Sequence, residues 1–177
     1  MRAIPKIQEY AAIGDGRSAA LVSRDGSIDW LCWPRFDSPS LFGALLDQQS
    51  GGAWTITPLE PAQASRRYLD ATNVLQTRFQ TASGTVILTD FMPAVSEEEK
   101  RRMLLPEHEL IRRLECDQGE MEVLIRFDPR PDYGRARVTI HDAGALGLRI
   151  ETGSSLIALL GDCRLRPDAQ GGVSARA

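Results

Sequence analysis

The segment from Asp25 to Pro39 concentrates the side chains best suited to chemistry, because it places two of the three tryptophans beside arginine and aspartate residues. Sugar-binding sites use this combination, since the apolar face of a sugar stacks on an aromatic ring while its hydroxyls bond to carboxylate and guanidinium groups. Two prolines in the second half of the segment predict a rigid loop. The candidates in that loop for contact with a substrate or a partner domain are Trp33, Arg35, Phe36 and Asp37.

The same residues also have a purely structural interpretation. Trp30 and Trp33 would then be core residues, and Arg35 would pair with Asp37 or Asp29 to hold the loop. Composition alone favours this second interpretation, and both remain open at the level of the sequence.

Other chemistries find little support. The two histidines, His108 and His141, have no carboxylate or cysteine at metal-ligand spacing, so we expect no metal site. The sequence contains no Gly-x-Ser-x-Gly elbow and no complete dinucleotide fingerprint. A second proline-stiffened polar turn spans Asp128 to Arg135 and carries Tyr133, but a plain hairpin connection is the simpler interpretation of it. We therefore assign no catalytic residue and expect no cofactor.

Composition limits the remaining classes of function. A chain of 177 residues with 42% hydrophobic and 25% charged residues has the balance of a folded protein, and we expect a single domain over residues 1–177. The net charge of −3 argues against nucleic acid as a partner. No stretch reaches the roughly 20 apolar residues that span a bilayer, so we expect no membrane contact and a cytoplasmic location.

The segments that must position the loop have the sequence pattern of antiparallel strands. Asp25-Gly26 lies between two apolar runs and predicts a hairpin over 18–33, and strict alternation would place Ile28, Trp30 and Cys32 on one face of its second strand. Turn signals at short intervals divide the rest into about eleven or twelve strands, which predicts an all-β antiparallel two-sheet sandwich. One short helix is expected near 40–47, because Pro39 suits a first helical turn and leucines pair at i, i+4. The charged stretch 95–106 is expected to be an exposed connection.

Several stretches together resemble one known family. They are residues 7–22, 25–39, 73–79, 88–93 and 127–135, which cover nearly the whole chain in order. These stretches resemble the N-terminal domain of bacterial glycoside hydrolase family 15 proteins, which include glucoamylases, glucodextranases and trehalases. The 25–39 run is long enough to make the resemblance specific.

The resemblance implies a β-supersandwich domain that precedes an (α/α)6 barrel. Members of that family hydrolyse α-glucosidic bonds with inversion, using two glutamates that both lie in the barrel. No catalytic glutamate can therefore be assigned in this chain, which we expect to be inactive alone. The implied partners are the chain's own C-terminal catalytic barrel and an α-glucoside sugar, with self-association through the uncovered interface as a further expectation.

Three hypotheses follow from the sequence. The leading one is a non-catalytic N-terminal domain that supports the barrel and whose loop lines the substrate pocket. The second is an autonomous carbohydrate-binding module that uses Trp30, Trp33 and Arg35 on an exposed face. The third is an interaction domain without a sugar, which would expose an apolar patch to its partner.

Overall fold

The architecture is that of an antiparallel β-sandwich, seen in a computed structural model that describes residues 5–102, 108–152, 155–168 and 171–177. The strands are β1 Ala11–Gly14, β2 Ala19–Val22, β3 Ser27–Cys32, β4 Ser40–Phe42, β5 Ala53–Pro58, β6 Gln63–Tyr68, β7 Leu75–Gln80, β8 Gly84–Phe91, β9 Ile111–Gly119, β10 Val123–Asp128, β11 Val138–Asp142, β12 Leu148–Thr152, β13 Ser155–Leu159, β14 Arg166–Pro167 and β15 Val173–Arg176. One α-helix, α1, spans Glu97–Arg102, and short 3-10 helices span Ile7–Glu9 and Gly144–Leu146. The predicted all-β fold is confirmed.

The strands form three antiparallel sheets. The largest has the order β1-β2-β3-β5-β10-β15-β14, with β4 paired to β3; the others are β6-β7-β8-β9 and β11-β12-β13. The sequence predicted two sheets, and the difference arises at β10. β10 pairs with β5 and β15 of the large sheet and not with the preceding strand β9. As a result, β6–β9 form one smaller sheet and β11–β13 form another.

A β-bulge in β3 decides which side chains enter the core. Leu21 pairs with Trp30 but Val22 pairs with Ile28, so Asp29 is the extra residue. Strict alternation was therefore the wrong expectation here, because a bulge exchanges the two faces of a strand. Ile28 and Leu31 both join the core cluster that contains Val22.

Two core clusters hold the sheets together. The larger joins the eight-stranded sheet to the three-stranded sheet and includes Ile28, Leu31, Phe42, Phe127, Leu148, Ile150 and Leu159. The smaller joins the eight-stranded sheet to the four-stranded sheet and consists of Ile56, Phe79, Val86, Leu88 and Val123. The packed strands therefore hold the loops that connect their ends in place.

The helix predicted near 40–47 does not form. Residues 40–42 are strand β4, in which Phe42 pairs with Leu31 and is fully buried. Asp47 then closes a turn by accepting hydrogen bonds from the backbone N–H groups of Gln49 (2.8 Å) and Ser50 (3.2 Å). Local helix signals at this position are overridden by tertiary pairing.

A helix occurs instead where an exposed connection was expected. Ser96 and Glu99 form a capping box, in which the Ser96 backbone N–H donates to the Glu99 carboxylate (2.9 Å) and the Glu99 N–H donates to the Ser96 hydroxyl (3.2 Å). The rest of that connection, residues 103–106, lies outside the described residues. Within the described ranges, no helix has the length and apolar character needed to cross a membrane.

Candidate functional site

The loop that carries the candidate residues follows β3 and is tied at both ends. The Trp33 N–H donates to the Pro39 carbonyl (3.4 Å), which closes the loop on itself. The Phe36 N–H donates to the Arg17 carbonyl (2.9 Å), which ties the loop to the β1–β2 turn. The loop is therefore held in one place, as its prolines predicted.

The four candidate side chains divide between two environments. Trp33 packs against the larger core cluster and makes an edge-on ring contact with His108 at 5.9 Å between centroids. Arg35 and Asp37 are exposed and form an ion pair of 3.1 Å, while Phe36 is also exposed. The Arg35–Asp37 pairing follows the structural interpretation of the loop.

Asp29 does not contribute to that pairing. Its carboxylate is buried, where it accepts hydrogen bonds from the Tyr10 hydroxyl (2.7 Å) and from Ser27. A buried carboxylate that accepts two hydroxyl hydrogen bonds is satisfied as a structural group. Asp29 is therefore unsuited to bind a ligand.

A cavity of about 870 Å³ adjoins the loop at the place where the three sheets meet. Its walls come from the loop, the large sheet, the start of β9 and the whole of β13, and include Trp33, Pro34, Trp54, Phe127, His108 and Leu159. A smaller pocket of about 590 Å³ also adjoins the loop and is lined by Arg17, Arg35, Phe36, Asp37 and His108. His108 lines both spaces, so the two concave surfaces adjoin each other, and the four candidate residues are divided between them.

Two polar atoms in the wall of the larger cavity lack partners. The Trp54 indole nitrogen Nε1 and the His108 ring nitrogen Nδ1 are both buried and make no hydrogen bond with any described residue. An unpaired buried polar group costs about 1–3 kcal/mol, so native proteins rarely leave two of them in one cavity. Both nitrogens have almost no accessible surface, so they lie behind the cavity wall and do not face its open space.

The rim of the larger cavity is open and carries three large exposed apolar side chains beside the polar Ser155 and Asp162. Leu156 and Leu160, on and just after β13, are 64% and 65% exposed, and Ile111 at the start of β9 is also exposed. Large exposed apolar groups clustered at the mouth of a concave surface are typical of an interaction site.

The two tryptophans of the segment do not form one surface. Trp30 is adjacent to Leu31 in β3, so its side chain lies on the face opposite to the core-facing Leu31. It contacts Tyr133 at 6.3 Å between ring centroids, whereas Trp33 contacts His108. A sugar platform made of Trp30, Trp33 and Arg35 together is therefore a wrong expectation.

Burial also sets the chemistry of the thiol that precedes the loop. Cys32, directly before Trp33, is buried, and burial raises the pKa of its thiol above the ordinary value of 9.0, so the thiol stays neutral near pH 7 and is a poor nucleophile. Within the described residues, no three His, Cys, Asp or Glu side chains gather as metal ligands.

Sequence reasoning missed the most informative residues of the site. His108 and Trp54 are far apart in the sequence, and only the packing of the sheets brings them to one cavity. A positive backbone φ of 61° at His108 has no signature in the sequence, because the residue is not glycine. No local signal could have identified either residue.

The sequence of this chain is similar to a known protein family and to several known proteins. A family model described as "Trehalase-like, N-terminal" matches residues 2–163. A trehalase of Mycobacterium tuberculosis is 34% identical over 146 residues, which cover 76% of this chain and 21% of that protein. A trehalase of Mycolicibacterium smegmatis is 32% identical over 154 residues, covering 79% and 22%, and one of Thermoplasma volcanium is 36% identical over 140 residues, covering 77% and 22%. The search of solved structures gives no match.

Proposed function

Because this chain belongs to the family of trehalase-like N-terminal domains, we propose that it is the non-catalytic N-terminal domain of a glycoside hydrolase family 15-like enzyme that cleaves an α-glucoside such as trehalose. In that role it supports the catalytic part of the longer protein and places the Trp33–Asp37 loop beside the substrate pocket. Chemistry would be carried out by residues outside this chain.

The lengths of the relatives support a role as one domain of a longer protein. Their matched segments make up about a fifth of each protein, so a domain like this one works within a much larger molecule. Domains within one chain commonly meet across interfaces of about 600–1,500 Å². The proposal therefore requires a sizeable docking surface on this domain.

The cavity where the three sheets meet carries the docking part of the proposal. Its mouth carries three large exposed apolar side chains, those of Leu156, Leu160 and Ile111. A docked segment that supplies apolar side chains would cover this rim and remove it from water.

Docking at this cavity would also set the position of the loop. Trp33 lines the cavity, whereas Arg35, Phe36 and Asp37 line the adjoining smaller pocket. Any partner seated in the cavity would therefore lie next to an aromatic ring and an ion pair that can contact sugar hydroxyls. This adjacency supports a role for the loop at the edge of the substrate pocket.

The docking surface is tested in the full-length protein with the double variant L156S/L160S, against L146S as the matched control. Leu146 is also exposed and precedes β12 but does not line the cavity. We expect the double variant to lose thermal stability and hydrolysis of trehalose and maltose, and to become more sensitive to protease between the domains. Unchanged stability and turnover in the double variant, equal to the control, would overturn the docking proposal.

The loop is tested in the same protein with Arg35→Ala. We expect a raised KM or a lowered kcat for the cleaved glucoside, with thermal stability unchanged, because Arg35 is exposed and contributes little to folding. Wild-type kinetics would exclude the loop from the substrate pocket and leave a purely supporting domain.

A further inference from the structure

A second set of chemistry-bearing residues lies on the other face of the large sheet. It consists of Trp30 on β3 and Asp132, Tyr133 and Arg135 in the turn after β10, which we call the aromatic platform. Trp30 and the core-facing Leu31 are neighbours in the strand, so the platform and the cavity lie on opposite sides of the sheet. The platform is therefore separate from the proposed docking surface.

We infer that the aromatic platform binds neutral carbohydrate through the rings of Tyr133 and Trp30, with Asp132 and Arg135 bonding the hydroxyl groups.

The rings are close and tilted, with Tyr133 exposed and Trp30 half-buried. Their centroids are 6.3 Å apart with 48° between the ring planes, and Tyr133 is 46% exposed. The Tyr133 hydroxyl and the Trp30 indole N–H make no hydrogen bond with any described residue. Two angled aromatic rings with available polar tips match a ligand that has apolar C–H faces and many hydroxyls.

The two charged side chains of the platform, Arg135 and Asp132, suit a neutral ligand that has hydroxyl groups. The Arg135 guanidinium lies over the Tyr133 ring at 5.7 Å and donates a hydrogen bond to an Asp132 carboxylate oxygen at 3.3 Å. The pair supplies both donors and acceptors to hydroxyl groups. Because the two charges cancel, the platform has no excess charge to attract an anion or a cation.

The turn is held in an unusual conformation by the rest of the fold. Asp132, Tyr133 and Gly134 all have positive φ, at 51°, 56° and 78°, a region that residues other than glycine adopt infrequently. The Asp132 N–H donates to the Ser40 carbonyl (2.9 Å) and the Tyr133 N–H to the Ser40 hydroxyl (3.0 Å). Backbone strain that is fixed in place by surrounding bonds is characteristic of binding sites, and here it presents the Tyr133 ring to solvent.

The test uses amide and indole NMR signals of the 177-residue chain during titration with maltotriose and with trehalose. The three tryptophans report separately on the platform (Trp30), the loop (Trp33) and the cavity wall (Trp54). We expect saturable shifts at the Trp30 indole with a dissociation constant on the order of 1 mM, and none with sorbitol, an acyclic polyol that has hydroxyls but no ring face.

Variants at position 133 decide whether the ring carries the interaction. We expect Tyr133→Ala to weaken maltotriose binding at least about tenfold and Tyr133→Phe to retain most of it, because the phenylalanine keeps the stacking face. Dispersed amide signals in both variants confirm that each has folded. Tyr68→Phe, on β6, is a control at a second tyrosine: it removes a hydroxyl that exchanges hydrogen bonds with the Ala12 backbone, far from the platform in sequence, and should leave binding unchanged.

Three outcomes would overturn the inference. They are no shift at the Trp30 indole at 20 mM of either sugar, equal shifts with sorbitol, and shifts centred on Trp33 that survive in Tyr133→Ala. The last result would instead support sugar contact by the loop. Because the docking test above uses other residues and the full-length protein, either proposal can fail without the other.

Discussion

At the scale of single residues, Arg112 joins the four-stranded sheet to the large sheet. Its fully buried guanidinium pairs with the equally buried Asp90 carboxylate at 2.8 Å. It also donates to the backbone carbonyls of Trp54 and Gly26 (2.5 and 2.7 Å) and lies 5.3 Å from the Trp54 ring. One side chain of the four-stranded sheet therefore satisfies two carbonyls of the large sheet and fixes the cavity wall at Trp54.

Arg112→Ala is expected to lower the free energy of unfolding by about 3–5 kcal/mol, because it leaves the Asp90 carboxylate buried and unpaired. Arg113→Ala is the matched control: Arg113 is next in sequence but pairs with Glu115 at the surface, so its loss should cost less than about 1 kcal/mol. Urea unfolding followed by tryptophan fluorescence measures both. Equal effects of the two substitutions would contradict the role assigned to the buried pair.

Residue contacts were predictable from the sequence only over short separations. The Arg35–Asp37 pair could be anticipated because the residues are two positions apart. The contacts of Trp33 with His108 and of Trp30 with Tyr133 depend on how distant strands pack. The types of residue in the loop therefore indicated binding chemistry, but its neighbours became known only with the fold.

At the scale of elements, the turn between β2 and β3 shows how backbone freedom supports the core. Gly26 has a φ of 76°, and a Cβ placed there would lie 2.6 Å from the Ile56 carbonyl and 3.0 Å from the Phe79 ring. The same residue supplies one of the carbonyls that Arg112 binds. Only glycine fits both the conformation and the space.

Gly26→Ala is expected to destabilise the protein by more than about 2 kcal/mol, since conformational strain of about 1–2 kcal/mol adds to the steric conflict. The control is Gly16→Ala, where φ is also positive (83°) but no atom lies within 4 Å of the added Cβ, so strain alone should apply. Thermal unfolding followed by circular dichroism compares them. A Gly26→Ala protein as stable as Gly16→Ala would show that the close approach to Ile56 is unimportant.

Elements with strong turn signals were predicted well, and those decided by tertiary pairing were not. Asp25-Gly26 marked a hairpin that the structure contains. Residues 40–42 carry local helix signals, yet pairing with β3 and burial of Phe42 make them a strand. Local propensity is a weak guide where burial against a neighbouring strand contributes more free energy.

At the scale of the whole molecule, three sheets meet around one cavity whose rim carries large exposed apolar side chains. β13 forms the edge of the three-stranded sheet and pairs with β12 alone among the described strands. Its residues carry no charge, and Leu156 is exposed. Proteins normally protect such an edge with charges, proline or a covering element, so this surface favours association.

The isolated chain is expected to self-associate with increasing concentration through the β13 rim. Leu156→Lys should shift that association to a concentration at least about tenfold higher, because a charge on an edge strand opposes pairing with another chain. Sedimentation velocity measures the change, with Leu146→Lys as the control for an added surface charge. A wild-type chain that stays monomeric at high concentration would contradict the expectation.

The bulge at Asp29 has a consequence for how β3 can change over time. The single extra residue allows Leu31 to face the core while Trp30 faces the opposite surface and its aromatic partner. Deletion of Asp29 would close the bulge and leave Leu21 opposite Trp30 and Val22 opposite Ile28, so both roles would survive the loss of this one residue. β3 can therefore gain or lose its bulge residue without turning Leu31 away from the core, and the cost of losing it lies in the hydrogen bonds that the Asp29 carboxylate accepts from Tyr10 and Ser27.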